Sequence, residues 1–374
     1  MAETLSTVAK EIIADHYRPK LLRFLEQGGL GLPLFTEKNR WRPSLEARWS
    51  DGFWAGLFWL AWQASGEPVF RESAERICTA MAPRIDDPKA NYDLGFLFFY
   101  SHVLGYRLTG ATAYRETALR AARRLCDFLC APARVITFTY PERAALYDRS
   151  VVTTKIDVMM NLSLLWWAHR ESGETTFRDV ARGHAERSLD CLLRPDGSVW
   201  ELADFDPVSG ELMSCGKKEG VDGESCWARG QAWAIYGFLQ AAHFLGQDRF
   251  FEAASRAYDF WRAQLPTDGL PYWDLLAPAS AQGSRDSSAA AIVLAALVQA
   301  PRWSRRLVRS EAETRMALET LLSALATPEE EGVLGWGCGY FRRQEGMDEA
   351  TVWGDYYLLE ALSGLAGVPM NSSE

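Results

Sequence analysis

A glycine that ends one helical segment and opens another recurs four times in this chain, and it constrains the fold more than any other feature. The copies read "GEPVFRESAERI" from Gly66, "GATAYRETALRAARRL" from Gly110, "GETTFRDVARGHAERSL" from Gly173 and "GQDRFFEAASRAYDFW" from Gly246. An aromatic residue follows each glycine by four positions (Phe70, Tyr114, Phe177 and Phe250), and then an Arg- and Glu-bearing stretch of helical period. A long apolar segment with few charges precedes each copy. Glycine is the natural terminator of that segment, because the residue after a helix often adopts a left-handed conformation. The second segment is amphipathic, so one face is expected to pack inward and the other to meet water. The unit is a buried helix, a glycine turn and a half-exposed helix.

Spacings of 44, 63 and 73 residues between these glycines exclude a strict solenoid and suit helical hairpins with loops inserted on one side. Inner helices are expected to start near residues 51, 93, 155, 226, 287 and 352. Outer helices are expected over 5–27, 69–83, 112–131, 175–193, 248–264 and 310–326. Strand-like alternation is confined to short pieces such as "RVITFTY" and "GSVWELADF". Six inner and six outer helices point to an all-α fold, an (α/α)6 barrel. No Pro/Gly/Ser linker divides the repeat, so a single domain over 1–374 is expected, with a frayed tail from about residue 368.

Bulk properties remove several function classes. A net charge of −9 argues against a general binder of nucleic acid or anionic membrane. No apolar run has the length of a membrane span. The N-terminal "MAETLSTVAKEIIADHY" carries charges where a secretory signal needs an apolar core, so a reduced, cytoplasmic setting is expected. Seven scattered cysteines without a CxxC, and five histidines without an HExxH-like pair, predict neither a disulfide framework nor a metal site. Fifteen tryptophans are about three times ordinary usage; several are expected to fill the core, and others can line a carbohydrate cleft, where flat rings suit the apolar faces of sugars. Oligomeric state is not legible.

The inner segments share a second property. Asp51, Asp93, Asp157, Asp286 and Asp355 each stand at or near a helix start, and Arg229 takes the equivalent place in the remaining one. If the inner helices run the same way, these residues ring one mouth of the barrel. Helix capping explains such acids, and it is the expected role of Asp286 and Asp355. It fits Asp93 and Asp157 less well, since they adjoin the apolar runs "LGFLFFY" and "VMMNLSLLWW". Two carboxyl groups facing a sugar-sized cleft can divide acid and base work if burial and mutual repulsion keep one protonated. Arg229, flanked by Trp227 and Trp233, can hold a substrate carboxylate, or else pair with a neighbouring aspartate.

At these residues the chain resembles the unsaturated glucuronyl hydrolases, glycoside hydrolase family 88. The motifs "RWSDGFWAGLFWLA", "YDLGFLFFYSHVLGYRLTG", "IDVMMNLSLLWWA", "SCWARGQAWAIYGF", "DSSAAAI" and "WGDYYLLEAL" stand in order between about residues 45 and 365. The resemblance implies an (α/α)6 barrel and a hydrolysis without metal or organic cofactor. Such enzymes protonate C4 of a 4,5-unsaturated uronic acid at the non-reducing end of a small saccharide or glycoside and add water at C5. The hemiketal then opens and releases the neighbouring sugar. By the same resemblance Asp157 falls on the catalytic acid/base and Asp93 on the assisting aspartate. Trp49, Asp51, Trp54, Trp227, Arg229 and Trp233 fall around the sugar.

Three departures stand out. Tyr92 and Glu201 occupy places where the family commonly has histidine, and Glu219 stands where glutamine is usual. Two added glutamates predict a more acidic pocket and a neutral or cationic, unsulfated leaving group. Lys217 and Lys218 are near enough in sequence to Glu219 to offset it, but solvated loop charges are their expected role. The competing readings are a barrel hydrolase for unsaturated rhamnogalacturonan or a natural-product glycoside, and a carbohydrate-binding protein without activity. A sugar epimerase on this fold would need paired histidines at inner-helix starts, and none is there.

Overall fold

The structure is a computed structural model that describes residues 4–28, 31–44, 48–138, 151–216, 220–221, 225–278, 283–303 and 311–368. Twelve helices make up most of it. They are α1 (residues 5–26, with a π turn at Ile13–Tyr17), α2 (Asp51–Ser65), α3 (Pro68–Met81) and α4 (residues 94–109, with a π turn at Phe99–Val103). Then come α5 (Thr112–Cys126), α6 (Val158–Ser172), α7 (Thr175–Cys191) and α8 (Ala228–Leu245). The last four are α9 (Asp248–Gln264), α10 (Ser287–Trp303), α11 (Glu311–Leu322) and α12 (Val352–Leu365).

The even-numbered helices form the inner ring. Each packs on the next, and α12 returns to α2 to close it. Each odd-numbered helix from α3 to α11 lies against the inner helix before it, while α1 packs on α12. This is the (α/α)6 barrel that the repeat predicts. The inner helices are buried around most of their circumference, as in Phe53–Ala61 of α2 and Val158–Ala168 of α6. The outer ones bury a single stripe, such as Phe70, Ser73, Ala74, Ile77, Cys78 and Met81 of α3. No helix among the described residues is long and apolar enough to cross a membrane.

The four repeat glycines sit where the pattern places them. Gly66, Gly110, Gly173 and Gly246 end α2, α4, α6 and α8 with φ between 64° and 76°, a conformation that disfavours any side chain. The aromatic four residues on then plugs the space between the paired helices, and Phe70, Phe177 and Phe250 are at most 1% exposed.

Two pieces of β-structure lie at the open end. A three-stranded antiparallel sheet pairs Val152–Lys155 with Leu202–Phe205, and the latter with Leu212–Gly216. A hairpin joins Gly337–Tyr340 to Glu345–Glu349. Of the two strand-like stretches in the sequence, the second supplies the middle strand. Among its described residues the first supplies Val135–Ile136, paired with Leu129–Cys130.

Candidate active site

Asp93 and Asp157 immediately precede α4 and α6, yet neither side chain caps its helix. Asp286 does cap, accepting from Ser288 Oγ at 2.5 Å and from the Ala289 amide at 3.4 Å. Asp355 holds a loop instead, accepting from the amides of Val333 (3.0 Å) and Leu334 (2.8 Å). The ring of acids therefore divides into members that hold backbone amides and a pair, Asp93 and Asp157, that cap no helix.

That pair faces a cavity of about 320 Å³ at the mouth formed by the inner-helix N-termini. Trp49, Tyr92, Asp93, Asp157, Trp227, Arg229 and Trp233 all line it. Asp93 Oδ2 and Asp157 Oδ1 are buried and accept no hydrogen bond from the described protein groups. Buried acceptors are rarely left so unless a ligand or solvent satisfies them. Burial and the neighbouring Asp157 charge push the Asp93 carboxyl up to about 7, against smaller opposing effects of Lys155, Arg84 and the Asn91 hydrogen bond. Burial also raises Asp157, and the Lys155 ammonium opposes that rise.

Asn161 fixes the spacing of the two aspartates. Its Oδ1 accepts from the Phe96 amide at 2.7 Å, and its Nδ2 donates to the Asp157 carbonyl at 3.3 Å. Gly95 lets the backbones meet there, since a Cβ on it would stand 2.4 Å from Asn161 Cα. The polar residue inside the apolar run thus ties the start of α4 to the start of α6.

Arg229 combines the two roles that the sequence leaves open. It pairs with Asp286 at 3.1 Å and donates to the carbonyls of Cys338 (2.5 Å) and Gly339 (2.8 Å). Its guanidinium lies 4.7 Å from the Trp227 ring centre and 4.9 Å from that of Trp353. It also lines the cavity, as a cation fixed in place before substrate arrives.

Three residues expected around the sugar stand elsewhere, and a fourth cannot be placed among the described residues. Trp54 is core: it stacks on Phe24 with ring centres 4.2 Å apart, and its indole donates to the Pro33 carbonyl at 2.9 Å. Asp51 lies behind the wall, accepting from the Arg48 amide at 2.9 Å and Arg84 Nη1 at 2.8 Å, and it is Arg84 that reaches the cavity. Glu201 is buried behind Lys155, at 3.3 Å from its Nζ. Glu219, with Lys217 and Lys218, falls outside the described residues.

Sequence reasoning missed other parts of the wall. Lys155 ends the Val152–Lys155 strand and places its ammonium 2.9 Å from Asp157 Oδ2 and 4.7 Å from the Trp227 ring centre. A lysine two residues before the suspected acid is the signal that could have found it. Tyr340, Arg343 and Glu345 reach the cavity from the C-terminal hairpin, and Tyr340 accepts from the Trp49 indole at 2.9 Å. Among the described lining residues, Arg48, Arg84, Lys89, Lys155, Arg229 and Arg343 outnumber Asp87, Asp93, Asp157 and Glu345. Arg84, Lys155 and Arg229 are each paired with an acid just behind the wall (Asp51, Glu201 and Asp286), so the described charges around the cavity are close to balanced. None of the five histidines lines it.

Comparison with known proteins accords with this geometry. No family model matches the chain. It is 34% identical over 326 residues to unsaturated glucuronyl hydrolase of Bacillus sp. (strain GL1), covering 84% of this chain and 85% of that one. It is 29% identical to unsaturated chondroitin disaccharide hydrolase of Streptococcus pneumoniae (strain ATCC BAA-255 / R6), covering 84% and 81%. A crystal structure of unsaturated glucuronyl hydrolase from Bacillus sp. GL1, described as responsible for the degradation of glycosaminoglycan, superposes with a TM-score of 0.88. That match has 30% identity and covers 95% of this chain and 96% of that one. Sequence and fold together place the chain in the unsaturated glucuronyl hydrolase family, glycoside hydrolase family 88.

Proposed function

We propose that this chain hydrates the C4=C5 double bond of a 4,5-unsaturated uronic acid at the non-reducing end of a small saccharide or glycoside. One observation carries the reading: two buried aspartates with orphaned oxygens share a cavity with a fixed arginine and three tryptophans. A planar unsaturated ring fits a slot between aromatic faces, with its carboxylate toward Arg229. One aspartate protonates C4, and charge develops at C5 beside the ring oxygen. The other aspartate takes a proton from the water that attacks C5. The hemiketal so formed opens, and the bond to the leaving sugar breaks without direct attack at C1. Among the described residues no cluster of His, Cys, Asp and Glu has the arrangement of a metal site, and this scheme calls on none.

The described charges alter one expectation. A neutral or cationic leaving group presumes an excess of acid on the wall, but Glu201 is buried beside Lys155 and is not among the lining residues. Lys89 and Arg343, both exposed at the rim, favour a leaving sugar that bears an anionic group.

The test is incubation with lyase-generated unsaturated uronyl disaccharides, sulfated and unsulfated, following the ultraviolet absorbance of the conjugated double bond. Loss of absorbance with release of the second sugar is expected. Binding of these disaccharides without turnover would instead identify a carbohydrate-binding protein. Turnover restricted to unsaturated rhamnogalacturonan fragments would identify the other hydrolase reading.

A further inference from the structure

Arg229 is held by two segments that lie far apart in the sequence. The backbone just before it runs beside residues 273–275: the Ala228 amide donates to the Trp273 carbonyl at 2.9 Å, and the Leu275 amide to the Cys226 carbonyl at 2.8 Å. The carbonyls that receive its guanidinium, those of Cys338 and Gly339, belong to the C-terminal hairpin, 109 and 110 residues further on. Among the described residues, the contacts to Asp286, Cys338 and Gly339 use both hydrogens of Nη1 and one of Nη2. Nε–H and the second Nη2–H remain, a pair of donors able to fork onto a carboxylate.

The aim of that fork depends on how the hairpin sits against the segment that carries Arg229. Two contacts at the hairpin tip set this. The Phe341 ring stacks on Trp273 with centres 3.8 Å apart and planes 8° from parallel. Arg342 donates to the Gly220 carbonyl from Nε at 3.1 Å and from Nη2 at 2.9 Å, and to the Val221 carbonyl from Nη2 at 3.4 Å. Each anchor is in turn tied to the Arg229 segment. Trp273 is joined to it through Ala228, and Val221 through Asp274, which accepts from the amides of Val221 at 2.9 Å and Cys226 at 3.1 Å. Neither Phe341 nor Arg342 lines the cavity, although their neighbours Tyr340 and Arg343 do.

We propose that Phe341 and Arg342 are positioning residues: they clamp the hairpin to Trp273 and to the Gly220–Val221 backbone, and so aim the remaining Arg229 donors at the carboxylate of the unsaturated uronic acid. This rests on the reading above that the substrate carboxylate meets Arg229. Without the clamp Arg229 keeps Asp286, but the two carbonyls that fix the plane of its guanidinium are free to shift. A displacement of about 1 Å at a substrate-orienting group can cost on the order of 100-fold, and loss of one tip contact out of two should cost less, about tenfold. The carboxylate is bound alike before and during reaction, so the loss belongs in KM and not in kcat.

The experiment measures kcat and KM for wild type, Phe341→Leu, Arg342→Met and Arg342→Lys on two substrates. One is an unsaturated uronyl disaccharide, and the other is its uronate methyl ester, which lacks the charge that Arg229 meets. A charge-assisted pair should give the wild type a roughly 10- to 100-fold preference for the acid in kcat/KM. Phe341→Leu and Arg342→Met should each raise KM for the acid about tenfold, with kcat and the constants for the ester within about twofold of wild type. Arg342→Lys keeps one donor for the Gly220 carbonyl and should fall between wild type and Arg342→Met. The Arg342 side chain is exposed, so its variants test the clamp even where Phe341→Leu folds poorly. Equal losses on acid and ester, losses in kcat alone, or variants that keep the full preference for the acid would each overturn the clamp. A wild type with no preference for the acid would overturn the Arg229 reading and the clamp with it, and one that turns over neither substrate would sink the hydration reading.

Discussion

Replacing Asp93 by asparagine should stabilise the protein increasingly as pH rises, while abolishing its chemistry. In the folded chain burial and Asp157 push the Asp93 carboxyl up to about 7, from an ordinary value of 3.8. The folded state therefore binds this proton more tightly than the unfolded state. Between those two values the unfolded chain has lost the proton and the native chain keeps it, so stability falls with pH by about 1.4 kcal/mol per unit. Asparagine does not titrate. Any fixed cost of its buried amide is the same at every pH and cancels in a comparison across pH. From pH 5 to pH 7 the gap between Asp93→Asn and wild type should widen in the variant's favour by roughly 2–3 kcal/mol. With an unfolding entropy of about 2 cal/mol/K per residue, that is a Tm gap growing by about 3 °C for a chain of this length. Asp51, Asp355 and Glu360, also raised by burial, titrate in both proteins and drop out. Thermal or urea unfolding of both proteins at pH 5, 6 and 7 measures the gap. A gap that is constant or narrows with pH would refute a proton held on Asp93. In activity, loss of one acid/base group should cost on the order of 100- to 10,000-fold in kcat.

Three further outcomes follow from the packing. Gly95→Ala drives a Cβ into Asn161, so it should destabilise by about 3 kcal/mol and lower kcat by shifting Asp93 relative to Asp157, as chemical unfolding and steady-state kinetics would register. Trp54→Phe should lower Tm with KM unchanged, because Trp54 packs on Phe24 and Trp41, whereas Trp233→Phe should raise KM. Arg229→Lys keeps a charge but cannot reproduce the three contacts to Asp286, Cys338 and Gly339. It should lose several kcal/mol of stability by urea unfolding, together with most of its affinity for the unsaturated sugar.

The helical frame is legible because its signals are local. A glycine terminator, an aromatic plug and an amphipathic stripe all lie within about 20 residues, and observed inner-helix starts at 51, 94, 158, 228, 287 and 352 lie within three residues of those expected. The cavity wall is less legible because much of it is assembled at long range. "VTTK" becomes a strand only through partners about 50 residues away, and its register then turns Lys155 toward Asp157. Tyr340, Arg343 and Glu345 arrive on a hairpin more than 180 residues beyond Asp157. Burial is the second obstacle. Asp51 and Trp54 share the α2 start with the expected mouth, yet Arg84 claims one, and Phe24 with Pro33 claims the other. Nothing local in sequence marks which face of an all-apolar helix looks into the cavity. Glu201 illustrates the electrostatic form of the problem, since its charge reads as an acidic pocket until its lysine partner is placed.

The central claim is protonation at C4 with water entering at C5, and isotope placement tests it most directly. Wild type, Asp93→Asn and Asp157→Asn would react with an unsaturated uronyl disaccharide in D2O, and mass spectrometry and NMR would locate the deuterium in the uronic product. A control incubates product made in H2O for the same time in D2O, to measure exchange next to the C5 ketone. The account predicts deuterium at C4 above that control, with both variants essentially inactive. Product without deuterium at C4, and with solvent oxygen at C1 when the reaction is run in 18O-water, would show ordinary glycoside hydrolysis and contradict it.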